Sequence, residues 1–414
     1  MQECRSNGAH YSFYGSRKGN LMRLSPFAPA LLAASALVLA GCAPTAPGGD
    51  AETGAPVPVA IITSQTGALA AYGEAYLNGL EAGLDYATDG TGTVDGREIE
   101  ITYLDDAGDA DKAVTLAKDV IGQGTQIIAG TASSGIALAL AEQAAQNQIL
   151  YISGPAAADA ITGVNEYTFR SGRQTYQDVA TAGTFIGDPD GSSVVVFAQD
   201  TAFGQGNVAG VQAVLGGQGA TVTSVLVPED ATEFTPFAQQ VLGSGADLVF
   251  VAWAGATSGA MWQALSQQGV FDAIPVVTGL GDIATYGAYG AASEDISFLS
   301  HYFGGAAGTE AEDAMIAFLE DAGHEADLFS PDGFTAAQMI VQAIRGGDDT
   351  VDGMIAALEG FSFDGVKGGY TIRAEDHALI QPMFQAQLVA DGAGFAPELI
   401  DVVDADTVAP PVAG

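Results

Sequence analysis

Ser133 stands in Gly130-Thr131-Ala132-Ser133-Ser134, after a short apolar run and before a stretch with helical spacing. A hydroxyl in such a turn lies beside the free N–H groups of a helix N-terminus, which is chemistry that receives a carboxylate. A plain helix N-cap is the other reading of the same serine. Tyr72, Phe203 and Trp253 also follow apolar runs. Aromatic rings there either line a pocket for an apolar group or fill a core. Arg170 and Arg173 lie close together in a chain poor in bases. Arg173 could meet a ligand carboxylate or form a structural ion pair.

Catalytic chemistry lacks a comparable constellation. Gly204-Gln205-Gly206-Asn207-Val208-Ala209 and Gly279-Leu280-Gly281-Asp282-Ile283-Ala284 both fit the dinucleotide fingerprint. Two matches in a chain with 55 glycines show how little that pattern discriminates. No P-loop occurs, and the serines of 130–135 lack the spacing of a nucleophile elbow. His10, His301, His324 and His377 stand alone, without the paired spacing of a metal site. A binder that is not an enzyme is therefore expected, with no metal and no cofactor.

The elements that would position these residues repeat a strand–helix unit. VAIIT (59–63) reads as a buried strand and 74–87 as a helix. Strands follow at 97–106, 125–130 and 149–153, with helices at 111–124 and 135–148 between them. Asp109 or Asp111 is the expected N-cap of the 111–124 helix. The pattern restarts at 192–200, with helices at 206–217, 235–243 and 258–268 and strands at 221–227, 246–253 and 274–279. Such alternation predicts parallel sheets with crossover helices, and two series predict two Rossmann-like α/β lobes. Sites at such sheets lie beyond the carboxyl ends of the strands. That rule marks 64–73, 130–135, 153–159, 200–206, 253–258 and 279–284.

The 414 residues suit two domains rather than one, and 48% hydrophobic residues are enough for sizeable cores. Asp and Glu number 50 against 12 Lys and Arg, for a net charge of −38. Such a surface repels nucleic acid and anionic headgroups, so neither is an expected partner. No acidic loop has the spacing of a cation site. The two cysteines, Cys4 and Cys42, both precede the body, which must rely on its cores alone.

Residues 27–40 form an apolar run too short for a comfortable membrane span, with Arg23 before it and Leu39-Ala40-Gly41-Cys42 after it. This is the architecture of a secretory signal peptide, and the tetrapeptide resembles the lipobox of bacterial lipoproteins. The resemblance implies that Cys42 carries lipid and anchors an extracytoplasmic protein to the membrane. Met22-Arg23 would be a natural start for that signal. The leader thus spans 1–42, and the Pro/Gly/Ala-rich residues 43–57 read as a tether.

Several segments together resemble the type I periplasmic binding proteins, especially their leucine/isoleucine/valine-binding branch. They are Thr66–Gly73, Leu104–Asp109, Thr131–Ser134, Tyr151–Ala157, Phe169–Arg173 and Asp200–Gly204, in this order over about residues 57–400. The resemblance implies hinge closure of two discontinuous lobes around a solute that an ABC permease collects. It places chain crossings near 175, 301 and 367. Lobe 1 is then 58–175 plus 302–367, lobe 2 is 176–301 plus 368–404, and 405–414 is a tail.

The same resemblance assigns the ligand carboxylate to Ser133 and pocket walls to Tyr72 and Phe203, with Trp253 next to a third aromatic position. An acid after the 274–279 strand takes the ammonium, here Asp282. Ser153, Ala156 and Ala157 match the segment whose backbone carbonyl and threonine hydroxyl also hold the ligand, but this chain has Ala157 or Ala158 in place of the threonine. The implied ligand is an amino acid, branched-chain or otherwise hydrophobic, bound by a monomer. A short amide, a urea or an aromatic acid is the alternative, as is a sensory role in place of transport.

Overall fold

The computed structural model describes residues 54–413. Cys42, the residue expected to carry lipid, and most of the expected tether lie outside these residues. No helix among those described is long and apolar enough to cross a membrane.

The first half of the chain winds β1 (Val57–Thr63), α1 (Ala70–Ala87), β2 (Thr93–Val94), β3 (Arg97–Asp105), α2 (Ala110–Gly122), β4 (Ile127–Gly130), α3 (Ser134–Asn147), β5 (Leu150–Ser153) and β6 (Thr168–Arg170). Their strands form one sheet in the order β2-β3-β1-β4-β5-β6, parallel except for the short β2. β1, β4 and β5 are buried almost throughout, because helices cover both sheet faces. Asp109 caps α2 by accepting from the Lys112 N–H at 3.0 Å, and Asp111 sits in its first turn.

A second series follows: α4 (Thr175–Ile186), β7 (Ser193–Gln199), α5 (Ala202–Val214), β8 (Thr221–Val227), α6 (Thr235–Ser244), β9 (Leu248–Ala252), α7 (Ser258–Gln267), α8 (Val270–Ala273), β10 (Val276–Gly279), α9 (Tyr286–Tyr289) and β11 (Ile296–Ser300). α5 begins four residues before the expected helix, because the Thr201 side chain caps it by accepting from the Gly204 N–H. The Gly-rich start of α5 hides its helical period.

The remainder carries α10 (Glu310–Ala322), α11 (Ser330–Gly346), α12 (Val351–Leu358), β12 (Ser362–Gly365), β13 (Gly368–Ile372), β14 (Leu379–Ile380), β15 (Met383–Asp391) and β16 (Gly394–Val403). β15 and β16 join the second sheet antiparallel, giving the order β16-β15-β11-β10-β9-β7-β8. α11 packs along α1, and Met339, Ile340, Tyr370 and Ile372 share the core of the first sheet. The chain thus leaves the first sheet after Arg170, returns after Ser300 and leaves again between Ile372 and Met383.

Both sheets have a switch point. β1 is flanked by β3 and β4, and β7 by β8 and β9. At each, successive loops diverge beyond the carboxyl ends of the strands and open a crevice.

Candidate ligand-binding site

The two crevices face one another across a cavity of about 330 Å³. From the first sheet it is lined by Ala68, Leu69, Tyr72, Ala132, Ser133 and Ala157. The second contributes Phe203, Asn207, Trp253, Thr257, Gly281 and Tyr289, and the connecting segments add Arg173, His301 and Phe329.

The Leu104-Asp105-Asp106 motif builds the first wall. Asp106 is fully buried; it accepts from Ser64 Oγ at 2.6 Å and from the Thr131 hydroxyl. Asp105 accepts from the N–H groups of Gln65 and Ala107, at 2.9 Å each, and from Thr66 Oγ1 at 2.7 Å. Partial burial raises its pKa, but these bonds and Lys112 outweigh that and hold it well below the usual carboxylate range. One acidic dipeptide therefore staples the loops after β1, β3 and β4.

Ser133 is the residue before α3, with extended backbone, and its side chain makes no capping bond. Its hydroxyl and the first N–H groups of α3 can therefore act together on an anion. Ser134 instead accepts from the Ala158 N–H through Oγ, at 3.2 Å.

Tyr72 lies edge-on to Phe329, with centroids 4.8 Å apart, and its hydroxyl accepts from the Gly255 N–H at 3.2 Å. Burial, reinforced by Asp282, pushes its pKa up to about 12. Gly255 has φ +81°, and a Cβ there would lie 2.6 Å from the Ala68 carbonyl oxygen. The adjacent Ala256 N–H donates to that same oxygen at 3.0 Å. Trp253 is clamped from behind by Phe197 and Phe234, and its indole N–H donates to Thr257 Oγ1 at 3.0 Å. Phe203 opens α5 and is half-buried at the wall.

Ser153 and Ala156 are fully buried and do not line the cavity, whereas Ala157 does. The carbonyls of this segment are already engaged. Ala156 O and Ala158 O accept from the Arg170 guanidinium at 2.6 and 3.0 Å, and Ala157 O accepts from the Thr175 N–H at 2.8 Å. Arg170 is 1% exposed, and burial pulls its pKa down to about 10. It is a strut behind the wall. Arg173 lines the cavity, pairs with Asp178 at 3.3 Å and donates to Pro155 O at 2.9 Å. Burial pushes Asp178 up, against the pull of Arg173.

Asp282 lies just behind the wall, between the lining residues Gly281 and Thr285. Its carboxylate accepts from the Thr285 N–H at 3.0 Å and from the Thr285 hydroxyl, capping a short turn. The next N–H, of Ile283, donates to Asp327 at 3.1 Å. Asp327 precedes α11, so this bond joins the two sides of the cavity, as the Tyr72–Gly255 bond does.

His301, Asp178 and Phe329 were not legible as wall residues in the sequence. His301 reads as a lone histidine, yet its Nε2 lies 2.6 Å from Asp332 Oδ1 and its Nδ1 lies 3.3 Å from Lys367 Nζ. The partners are 31 and 66 residues away, beyond any local spacing rule. Burial pulls His301 down to about 4 and Lys367 down to about 7. No group of three or more metal-ligating side chains occurs among the described residues.

A family model described as periplasmic binding protein matches residues 56–393. Leu/Ile/Val-binding protein BraC3 of Rhizobium johnstonii is 26% identical over 200 residues, which cover 47% of this chain and 54% of that protein. Leu/Ile/Val-binding protein homolog 3 of Brucella melitensis is 22% identical over 73% of this chain and 82% of its own length. Among solved structures, an ABC-type branched-chain amino acid transporter from Rhodopseudomonas palustris superposes with a TM-score of 0.72. It is 30% identical and covers 86% of this chain and 99% of that one.

Proposed function

From the premise that this chain belongs to the periplasmic binding protein family, the extracytoplasmic substrate-binding components of ABC transporters and not enzymes, we propose that its ligand is a hydrophobic, branched-chain-type amino acid. The observation that carries this reading is the cavity itself. One wall offers the unengaged Ser133 hydroxyl at the start of α3, and the other offers Phe203 and Trp253. The first suits a carboxylate and the second an aliphatic side chain. The names of the relatives from Rhizobium, Brucella and Rhodopseudomonas point the same way.

In this reading Arg173 stands behind the carboxylate and Asp282 supplies charge complementarity to the ammonium from just outside the wall. Residues 58–175 with 302–380, and 176–301 with 383–404, are the two lobes that close on the solute, the third crossing falling later than the expected 367 because Tyr370, Ile372 and Leu379 pack in the first core, and the protein acts as a monomer. Closure is favoured because the ligand touches both walls only when they approach. Lipid on Cys42 holds the protein beside its permease.

Thermal shift against amino acids, short amides, urea and benzoates tests the ligand class, since a tight ligand stabilises the native state. Stabilisation by leucine, isoleucine or valine is the expected result. Stabilisation by benzoates or amides alone would overturn it. The anchor is tested by Cys42→Ser, which should release the protein from membranes; retention would refute lipidation at that residue.

A further inference from the structure

Three connections join the sheets, and the residues after β16 add another tie. Val408 is fully buried against Met383 and Val403 of the second sheet and Ala180 of α4. Beyond it the chain turns to the other lobe. Pro410 O and Pro411 O accept from the two Nη groups of Arg373 at 2.6 and 3.2 Å. The Ala413 N–H donates to Asp376 Oδ2 at 2.9 Å. Arg373 and Asp376 are themselves paired twice, at 2.8 and 2.6 Å. The Asp376 carbonyl accepts from the Gly163 N–H at 2.9 Å, and a Cβ on Gly163 would come within 2.8 Å of Ala413 Cβ. Arg373 and Gly163 adjoin Ile372 and Ile161, which are core residues of the first sheet.

One end of this segment is therefore held by apolar burial on the second lobe and the other by charge-assisted bonds on the first. The consecutive prolines Pro410 and Pro411, whose carbonyls form the second anchor, stiffen it. Only eight Lys and Arg residues follow Cys42, and one of them is spent on two main-chain carbonyls of this segment. That use is out of keeping with a loose tail.

We propose that residues 404–413 are a strap across the hinge that limits how far the lobes open and so slows release of the bound solute. The inference goes beyond the identity of the ligand, and its main readout needs none.

The test uses the full chain with Cys4→Ser and Cys42→Ser, spin-labelled at Asp119→Cys on α2 and Gln240→Cys on α6, both exposed positions. Pulsed electron resonance reads the distance between the lobes. One variant stops after Ala409, which keeps Val408 and the Arg373–Asp376 pair. The other is Arg373→Lys, which keeps the charge but loses the fork onto the two carbonyls. Both should shift the ligand-free distances longer and broaden them. Dissociation of L-leucine should speed up by roughly tenfold, as the loss of one charge-assisted hydrogen bond implies. If truncation prevents folding, seen as loss of the circular dichroism signal, Arg373→Lys carries the test. Folded variants with unchanged distances would overturn the strap, whether or not they melt earlier.

Discussion

His301 Nε2 and Asp332 Oδ1 lie 2.6 Å apart at the cavity wall, one just beyond β11 of the second sheet and the other on α11 beside the first. Lys367 closes the group from the turn between β12 and β13, and Arg173 lies over the Phe329 ring at 5.4 Å. Three basic side chains thus gather beside two buried acids, Asp332 against His301 and Asp178 against Arg173. Breaking such a group leaves an uncompensated charge, so it holds the connections in one arrangement.

This group makes stability pH-dependent. His301 falls to about 4 in the folded protein, below its ordinary 6.5, so the fold excludes its proton. Its contribution is complete above pH 6.5 and is lost as pH falls toward 4. Asp327 opposes it, since burial lifts that carboxyl to about 6 and the fold then gains as pH drops below 6. Compared with wild type, His301→Gln should flatten the loss of stability between these values, and Asp327→Asn should steepen it. Urea titrations across this range check both signs. Parallel pH profiles for all three proteins would show that neither group titrates as described.

Ser133 and Asp282 separate by substitution. Ser133→Ala should weaken amino-acid binding by roughly 1.5–3 kcal/mol, the worth of a hydrogen bond to a charged group. Asn caps a turn about as well as Asp, so Asp282→Asn preserves the Thr285 cap and removes only charge. Calorimetry should show loss of affinity for zwitterions and little change for a neutral amide. Equal amino-acid affinity in Asp282→Asn would confine that residue to capping.

Arg170→Met should destabilise the protein markedly. It strips donors from the carbonyls of Ala156, Ala158 and Arg173. Each buried acceptor left unpaired costs about 1–3 kcal/mol. Chemical denaturation should register a loss of about 3 kcal/mol or more, and one below about 1 kcal/mol would deny the strut role.

The acidic surface should make the melting temperature rise with salt. Charge repulsion across 50 acidic residues is screened within about 10 Å at 0.1 M salt and within about 3 Å at 1 M. Differential scanning calorimetry from low to molar sodium chloride checks this, and a flat response would show that the excess acid leaves the fold unaffected.

Local pattern by itself determined the strand–helix alternation from 57 to 279, because burial on both faces makes β1, β4 and β9 nearly continuous apolar runs and a polar cap announces α2. It also marked the loops that matter, since sites in such sheets sit beyond strand ends. Tyr72, Ser133, Phe203 and Trp253 were singled out in this way, and all four line one cavity. Tertiary structure alone decided how side chains within those loops are used. Arg170 and Arg173 look alike in sequence, yet one is spent on buried carbonyls and the other reaches the cavity. The carbonyls of 156–158 could have met a ligand, but packing turns them onto Arg170 and Thr175. His301 has no neighbour that predicts Asp332 or Lys367, and the segment after β16 has none that predicts Arg373. Such partners are joined through the sheets and connections, where burial makes an unpaired polar group costly and so selects which distant groups meet.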